Sequence, residues 1–105
     1  MSRLRKRLVE RLQEIGVEDR PWPRRDDGFS SLFYGGKEFA HFHGNNELDL
    51  RLTKQVIKRE GLVHPADSQV HPNRSASSHW IEIRFTKAAH LDEVVRLAQL
   101  AIERR

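Results

Sequence analysis

Two histidines separated by one residue, His41 and His43, are the side chains of this sequence best placed to do chemistry. They lie in a segment where apolar and polar residues alternate, a pattern typical of a β-strand with one buried face. Because side chains two positions apart on a strand point to the same face, both imidazoles should reach the same ligand. Imidazole can bind a metal ion, hydrogen-bond an anion or transfer a proton near neutral pH.

The strand that follows should bring a carboxylate beside these histidines. A three-residue turn at residues 44–46 places His41 opposite Asp49 and Phe42 opposite Leu48, so that polar side chains share one face and apolar side chains the other. A slip of one residue would reverse every side chain, and the hydrophobic pattern therefore selects this register. With the last predicted strand added, the polar face carries His41, His43, Asp49, Arg51, Trp80, Glu82 and Arg84.

Several chemistries remain open for this polar face. A transition metal needs three or four ligands, and spacing fixes only two histidines, so no metal site and no cofactor are predicted. Arg51 and Arg84 favour a small anion or small molecule, with His64 of a following loop as a further contact. His41 oriented by Asp49 would instead form a general base. The remaining alternative is a ladder of cross-strand pairs on a solvated sheet face.

The N-terminal segment is basic and gives a second candidate surface. Apolar residues at helical spacing predict an amphipathic helix over residues 2–15. Its cations would contact phosphates and give weak, sequence-independent binding of nucleic acid, or they simply form a solvated helix face. These cations are Arg3, Arg5, Lys6, Arg7 and Arg11.

The remaining pattern predicts one α+β domain over residues 1–105. Two closely spaced prolines indicate a linker at residues 17–28, and a Gly35-Gly36 pair indicates a tight hairpin turn. Residues 62–79 form a long loop that holds His64 and His71, either of which could reach the polar face. We expect an antiparallel sheet of about four strands, covered on its apolar face by the N- and C-terminal helices. The strands are predicted at residues 29–34, 37–43, 48–52 and 80–85.

Composition excludes several classes of protein. The sequence has no cysteine, which rules out disulfides, thiolate catalysis and cysteine-ligated zinc. No apolar run approaches the roughly 18 residues that span a bilayer, and no apolar segment follows the basic start as in a secretory signal. We therefore expect a cytoplasmic protein without a membrane partner. A net charge of +4 is compatible with an acidic partner such as nucleic acid.

The order of motifs resembles a family of small bacterial proteins known as the luciferase domain. In that family a Lys-Glu-x-x-His-x-His-Gly segment precedes an aspartate-bearing strand, then a segment with glycine and histidine, then a strand that starts with tryptophan. The chain departs from the pattern at His79, where the family usually has glycine, and in a longer polar insert before it. The matching positions are Lys37, Glu38, His41, His43, Gly44, Asp49, Gly61, His64 and Trp80.

The resemblance implies an α+β domain, and it does not by itself indicate light-emitting chemistry. A more distant similarity to MmcQ/YjbR-like domains points to the same fold class. From the residues, we expect a small binding or interaction domain that uses the polar face and the loop at residues 62–79. The alternatives are an enzyme with a His41/Asp49 acid–base pair, and nucleic-acid binding through the N-terminal helix. The ligand, the reaction and the oligomeric state stay open.

Overall fold

The computed structural model describes residues 2–24 and 28–104. Five strands form an antiparallel sheet in which every strand pairs with the next along the chain. Three helices and a short 3-10 turn complete the described elements. In chain order these are α1 (Arg3–Glu14), β1 (Glu18–Pro21), β2 (Ser30–Tyr34), β3 (Lys37–Phe42), β4 (Glu47–Arg51), α2 (Lys54–Arg59), β5 (Trp80–Arg84), the 3-10 turn (Ala88–His90) and α3 (Leu91–Glu103).

The register of the central hairpin confirms the prediction from the sequence. His41 lies opposite Asp49, and Phe42 lies opposite Leu48. On the far side of β4, Glu82 lies opposite Asp49. The polar residues of three strands therefore form one row across the sheet, with Asp49 at its centre.

One strand was missed by the sequence analysis. β1 lies within the predicted linker and pairs with β2, with Pro21 opposite Ser30. The strand is short and lies at the edge of the sheet, where proline is tolerated because no further strand needs its missing N–H. The sheet therefore has five strands instead of about four. Residues 25–27 of the predicted linker lie outside the described residues.

The apolar face of the sheet packs against α1 and α3, as predicted. Leu8 and Leu12 of α1 are fully buried together with Leu50 of the sheet. Ser2 caps α1 by accepting a hydrogen bond from the backbone N–H of Arg5. Packing of both helices on this face leaves the opposite, polar face to be covered by the loop at residues 62–79.

A short 3-10 turn precedes the last helix and lies between Thr86 and α3. The backbone N–H of Thr86 donates to Nδ1 of His90 at 3.1 Å. Within residues 2–24 and 28–104, no helix has the length and apolar character needed to cross a bilayer.

Candidate functional site

The centre of the polar face is buried instead of solvated. Asp49 is 1% exposed and Glu82 is 2% exposed, although both are carboxylates that rarely lose all contact with water. His43 is 8% exposed. A polar group in such a position normally needs a partner for each of its donors and acceptors. The part of the chain that packs on this face and excludes water must therefore supply these partners.

The loop at residues 62–79 supplies two of the partners. Arg74 binds Asp49 through two parallel hydrogen bonds, from Nη1 to Oδ1 at 2.5 Å and from Nη2 to Oδ2 at 2.9 Å. Ser68 donates from Oγ to Oε1 of Glu82 at 2.9 Å and accepts from the backbone N–H of His71 at 3.1 Å. These contacts hold the loop against the centre of the polar face.

Three histidines surround the same oxygen of Asp49. The Nε2 atoms of His41, His71 and His43 lie 3.3, 3.6 and 3.9 Å from Oδ2 of Asp49. One ligand atom from each of His41, His43, His71 and Asp49 lies within 4.8 Å of the others. We call His41, His43, His71 and Asp49 the histidine cluster. It combines one loop residue with three residues of the central hairpin.

Burial and neighbouring charges fix the protonation of the histidine cluster. Burial, and after it the nearby His41, lower the pKa of His43 to about 4. Burial also lowers the pKa of His71, with a contribution from Arg74. Burial alone would raise the pKa of Asp49, but hydrogen bonds from Arg74 and His41 outweigh it and hold this pKa well below its usual range. The cluster at pH 7 therefore has an ionised carboxylate and a neutral His43.

Aromatic rings form the wall of the cluster. The ring of Phe29 stacks on His43 with centroids 5.3 Å apart, and the ring of Trp80 lies 5.0 Å from that of His41. Trp22 packs beside His41 and donates from its indole nitrogen to Oγ of Ser31 at 2.7 Å. Trp22 therefore lies on the polar face of the sheet. These rings shield the cluster from water.

The other predicted site residues lie around the cluster in different roles. His64 donates from Nε2 to the backbone oxygen of His71 at 2.8 Å, and so holds the loop. Arg84 lies 2.8 Å from Asp67 and 3.2 Å from Glu82. Arg51 lies opposite Trp80, one row away from Asp49. The guanidinium that contacts Asp49 belongs to Arg74 of the loop.

Sequence reasoning did not find Arg74, Ser68 or Phe29. Arg74 and Ser68 lie in a loop without periodicity, so no pattern indicates which side chains turn inward. Phe29 was read as the first residue of a strand, whereas it precedes β2 and packs on His43. The one available signal was the presence of cations and hydroxyls in a long loop near a strand that bears a carboxylate.

The basic residues of α1 do not act as one surface. Arg5 is 3% exposed and donates to the backbone oxygens of Gly28 and Gly44 and to Oγ of Ser30. Arg11 pairs with Asp92 of α3 at 2.8 Å. The exposed cations among the predicted residues are Arg3, Lys6 and Arg7. Arg5 therefore ties α1 to the ends of the strands beside the cluster, which makes it a scaffold residue.

A cleft of about 390 Å³ lies between α2, the loop and the start of β5. Its lining includes apolar Leu62 and Ile81 and three residues already described, His64, Arg74 and Trp80. A molecule in this cleft would contact the same Arg74 side chain that binds Asp49. The cleft therefore adjoins the histidine cluster instead of forming a separate site.

Comparison with known proteins gives a family. Residues 36–101 match the Luciferase domain, a segment that includes three strands, α2, the loop and most of α3. No curated protein matches the chain, and no solved structure matches it. The more distant similarity to MmcQ/YjbR-like domains gains no support from these comparisons. The family match covers more than half of the sequence and contains all four residues of the histidine cluster. The chain therefore belongs to the Luciferase domain family.

Proposed function

We propose that the chain is a binding domain that holds a small ligand between its polar sheet face and the loop at residues 62–79. The single observation that carries the proposal is the convergence of three imidazoles on one buried carboxylate oxygen. A sheet face that served only solubility would leave such groups in water, where each finds partners at no cost. Here the loop encloses them and leaves ring nitrogens without partners.

Those unpartnered atoms support a ligand within the cluster. Among the described residues, Nε2 of His71 and Nδ1 of His41 and His43 are buried and make no hydrogen bond. A buried polar atom without a partner costs about 1–3 kcal/mol. Of these atoms, Nε2 of His71 lies 3.6 Å from Oδ2 of Asp49, so a group that binds beside this oxygen would give it a partner.

The charges favour a cation over an anion as that group. Asp49 and Glu82 are both buried at the centre of the face. The charge of Arg74 is already matched by Asp49 through two hydrogen bonds. An anion would therefore meet two buried carboxylates, whereas a cation would meet an ionised oxygen and ring nitrogens with free lone pairs.

Thermal-shift measurements on a panel of compounds test the proposal. Untagged protein is mixed with divalent metals, phosphates, nucleotides and carboxylates, because a ligand of the native state raises Tm by mass action. The shift should be lost in His41→Ala and His43→Ala, each compared with its own ligand-free baseline. His90→Ala is the matched control, since His90 lies beyond β5 at the start of α3. A panel without any shift, or a shift that survives both cluster variants, would remove the proposal.

Catalysis at the same face is a second candidate, favoured by one contact. Nε2 of His41 lies 3.3 Å from Oδ2 of Asp49, the arrangement in which a carboxylate orients a general base. His41 is also more exposed than His43, with 19% of its side chain accessible against 2%. A proton-transfer role would require that turnover of an identified substrate falls with His41→Ala but not with His90→Ala.

A further inference from the structure

We infer that the ligand of the histidine cluster is a divalent transition-metal ion of the zinc class, bound by Nε2 of His41, His43 and His71 and by Oδ2 of Asp49. This inference rests on the proposed function and specifies its ligand. The hairpin supplies three ligands and the loop supplies the fourth. The sequence analysis assigned no metal because only His41 and His43 were fixed by spacing.

The spacing of the four atoms agrees with a tetrahedral ion. Ligands about 2.1 Å from a tetrahedral zinc lie roughly 3.4 Å from one another. The three nitrogens lie 3.3, 3.6 and 3.9 Å from Oδ2 of Asp49. One ligand atom from each of the four residues lies within 4.8 Å of the others. Movement of the imidazoles towards Oδ2 would bring atoms that are up to 4.8 Å apart to this spacing.

Hydrogen bonds from the three imidazoles to Oδ2 of Asp49 cannot account for their positions around this oxygen. A carboxylate oxygen accepts about two hydrogen bonds, and Oδ2 of Asp49 already accepts one from Arg74 at 2.9 Å. Three imidazole N–H groups and one guanidinium would overload that oxygen. At least one Nε2 must therefore present a lone pair towards the centre of the cluster, which is the form of imidazole that binds a metal.

Groups around the cluster suit the supporting role that metal ligands usually need. Ligating carboxylates are normally hydrogen-bonded by a neighbouring group, and Arg74 does this for Asp49. Glu38 Oε2 lies 4.0 Å from Nδ1 of His41, near the position of a carboxylate that holds the second ring nitrogen. His64 fixes the backbone of His71. Arg74 therefore acts as a partner of the ligand Asp49 and leaves its second lone pair for the ion.

The chemical class of the ion follows from its ligands. Imidazole nitrogen suits zinc, nickel, copper and iron, whereas magnesium and calcium prefer oxygen ligands. Three nitrogens and one oxygen, with no cysteine in the chain, therefore select a transition metal and disfavour the hard cations. Mg²⁺ and Ca²⁺ serve as control ions that should not bind here.

The test uses untagged full-length protein dialysed against a chelator and then titrated with Co²⁺ and Zn²⁺. We expect one equivalent of Co²⁺ to bind with the visible absorption of a four-coordinate nitrogen–oxygen site, and Zn²⁺ to displace it. His71→Ala should abolish this signal, and since His71 lies in a loop, the variant should still fold. His79→Ala is the matched control because His79 comes from the same loop but contacts the backbone of α2.

Each outcome decides the inference. His64→Ala should weaken Co²⁺ binding by roughly 10–100-fold, the usual effect of losing a group behind the ligands. Retention of the full Co²⁺ signal in His71→Ala, or Mg²⁺ stabilising the protein as much as Zn²⁺, overturns the metal site. If no metal binds but an organic compound gives a shift that depends on His41 and His43, the metal inference fails and the proposed binding function stands. If nothing binds, both fail.

Discussion

Removal of Arg74 tests whether the loop at residues 62–79 is held by the buried charge of Asp49. Arg74→Ala would delete two hydrogen bonds of 2.5 and 2.9 Å to a carboxylate whose side chain is 1% exposed. Loss of one partner of a buried ion pair typically costs about 3–5 kcal/mol because the other charge stays buried. The side chain of Arg74 is itself only 9% exposed, so solvent screens the pair weakly.

For Arg74→Ala we expect a loss of stability at the lower end of this range of about 3–5 kcal/mol. His41 lies 3.3 Å from Asp49 and would remain a partner of the carboxylate, and a loop that moves away would admit water to it. We therefore expect Arg74→Ala to lower the free energy of unfolding by about 3 kcal/mol. For a domain of this length, that loss corresponds to a fall in Tm of roughly 12 °C or more.

Urea denaturation in the presence of a chelator measures the change without interference from metals. Arg20→Ala is the matched control, because Arg20 pairs with Glu18 on the exposed edge strand and should leave the midpoint unchanged. In an Asp49→Asn background, Arg74→Ala should cost much less, since no buried charge remains to be stranded. A wild-type-like midpoint for Arg74→Ala, or equal costs in both backgrounds, would refute the reasoning.

Two further predictions concern the scaffold beneath the site. Leu50→Ala should lower the free energy of unfolding by roughly 2–5 kcal/mol in the same urea assay, because Leu50 is fully buried and its loss leaves a cavity. A loss within about 0.5 kcal/mol would show that the apolar face is assigned wrongly. Arg5→Ala should cost about 2–3 kcal/mol by leaving buried acceptors unpaired. It should not change any salt-dependent binding to duplex DNA, which only the exposed Arg3, Lys6 and Arg7 should affect. A loss of DNA affinity with unchanged stability would return Arg5 to a nucleic-acid surface.

The central hairpin could be predicted from the sequence because its information is local. Alternation of apolar and polar residues on either side of a short turn admits one register, and a slip would put His41 on the apolar side. That register places His41 opposite Asp49, as found. Glycines at positions 35 and 36 have φ of 60° and 82°, the left-handed region that the predicted tight turn requires.

The edge strand β1 could not be found in the same way. It has four residues, one of them proline, and its burial pattern shows little alternation. Its pairing with β2 depends on the path of the chain after α1, which no periodicity within residues 18–21 reveals. Proline at an edge position is compatible with a strand, so Pro21 and Pro23 excluded a helix but not this strand.

The packing of the loop at residues 62–79 on the polar face could not be predicted from the sequence, for a related reason. An alternating strand indicates that one face is apolar, and it leaves open whether the polar face meets water or another part of the chain. The bond between Arg74 and Asp49 joins positions 25 residues apart, and a loop without periodicity carries no signal for such a contact. The sequence could name His71 as able to reach the face, but not select it over His64.

The placement of Arg74 and His71 in one loop links burial of the site to its chemistry. His71 lies three residues before Arg74, and both side chains meet Asp49. The loop can therefore deliver its histidine to the cluster only when its arginine neutralises the carboxylate, since an ionised Asp49 would resist losing water alone. Without the arginine, the loop would stay away from the sheet and Asp49 would remain solvated beside His41 and His43. Two imidazole nitrogens and one carboxylate are too few ligands for a tetrahedral metal site within the protein. The loop therefore covers the polar face and adds His71 to the cluster at the same time. A ligand that binds the cluster must also stabilise the loop in this position.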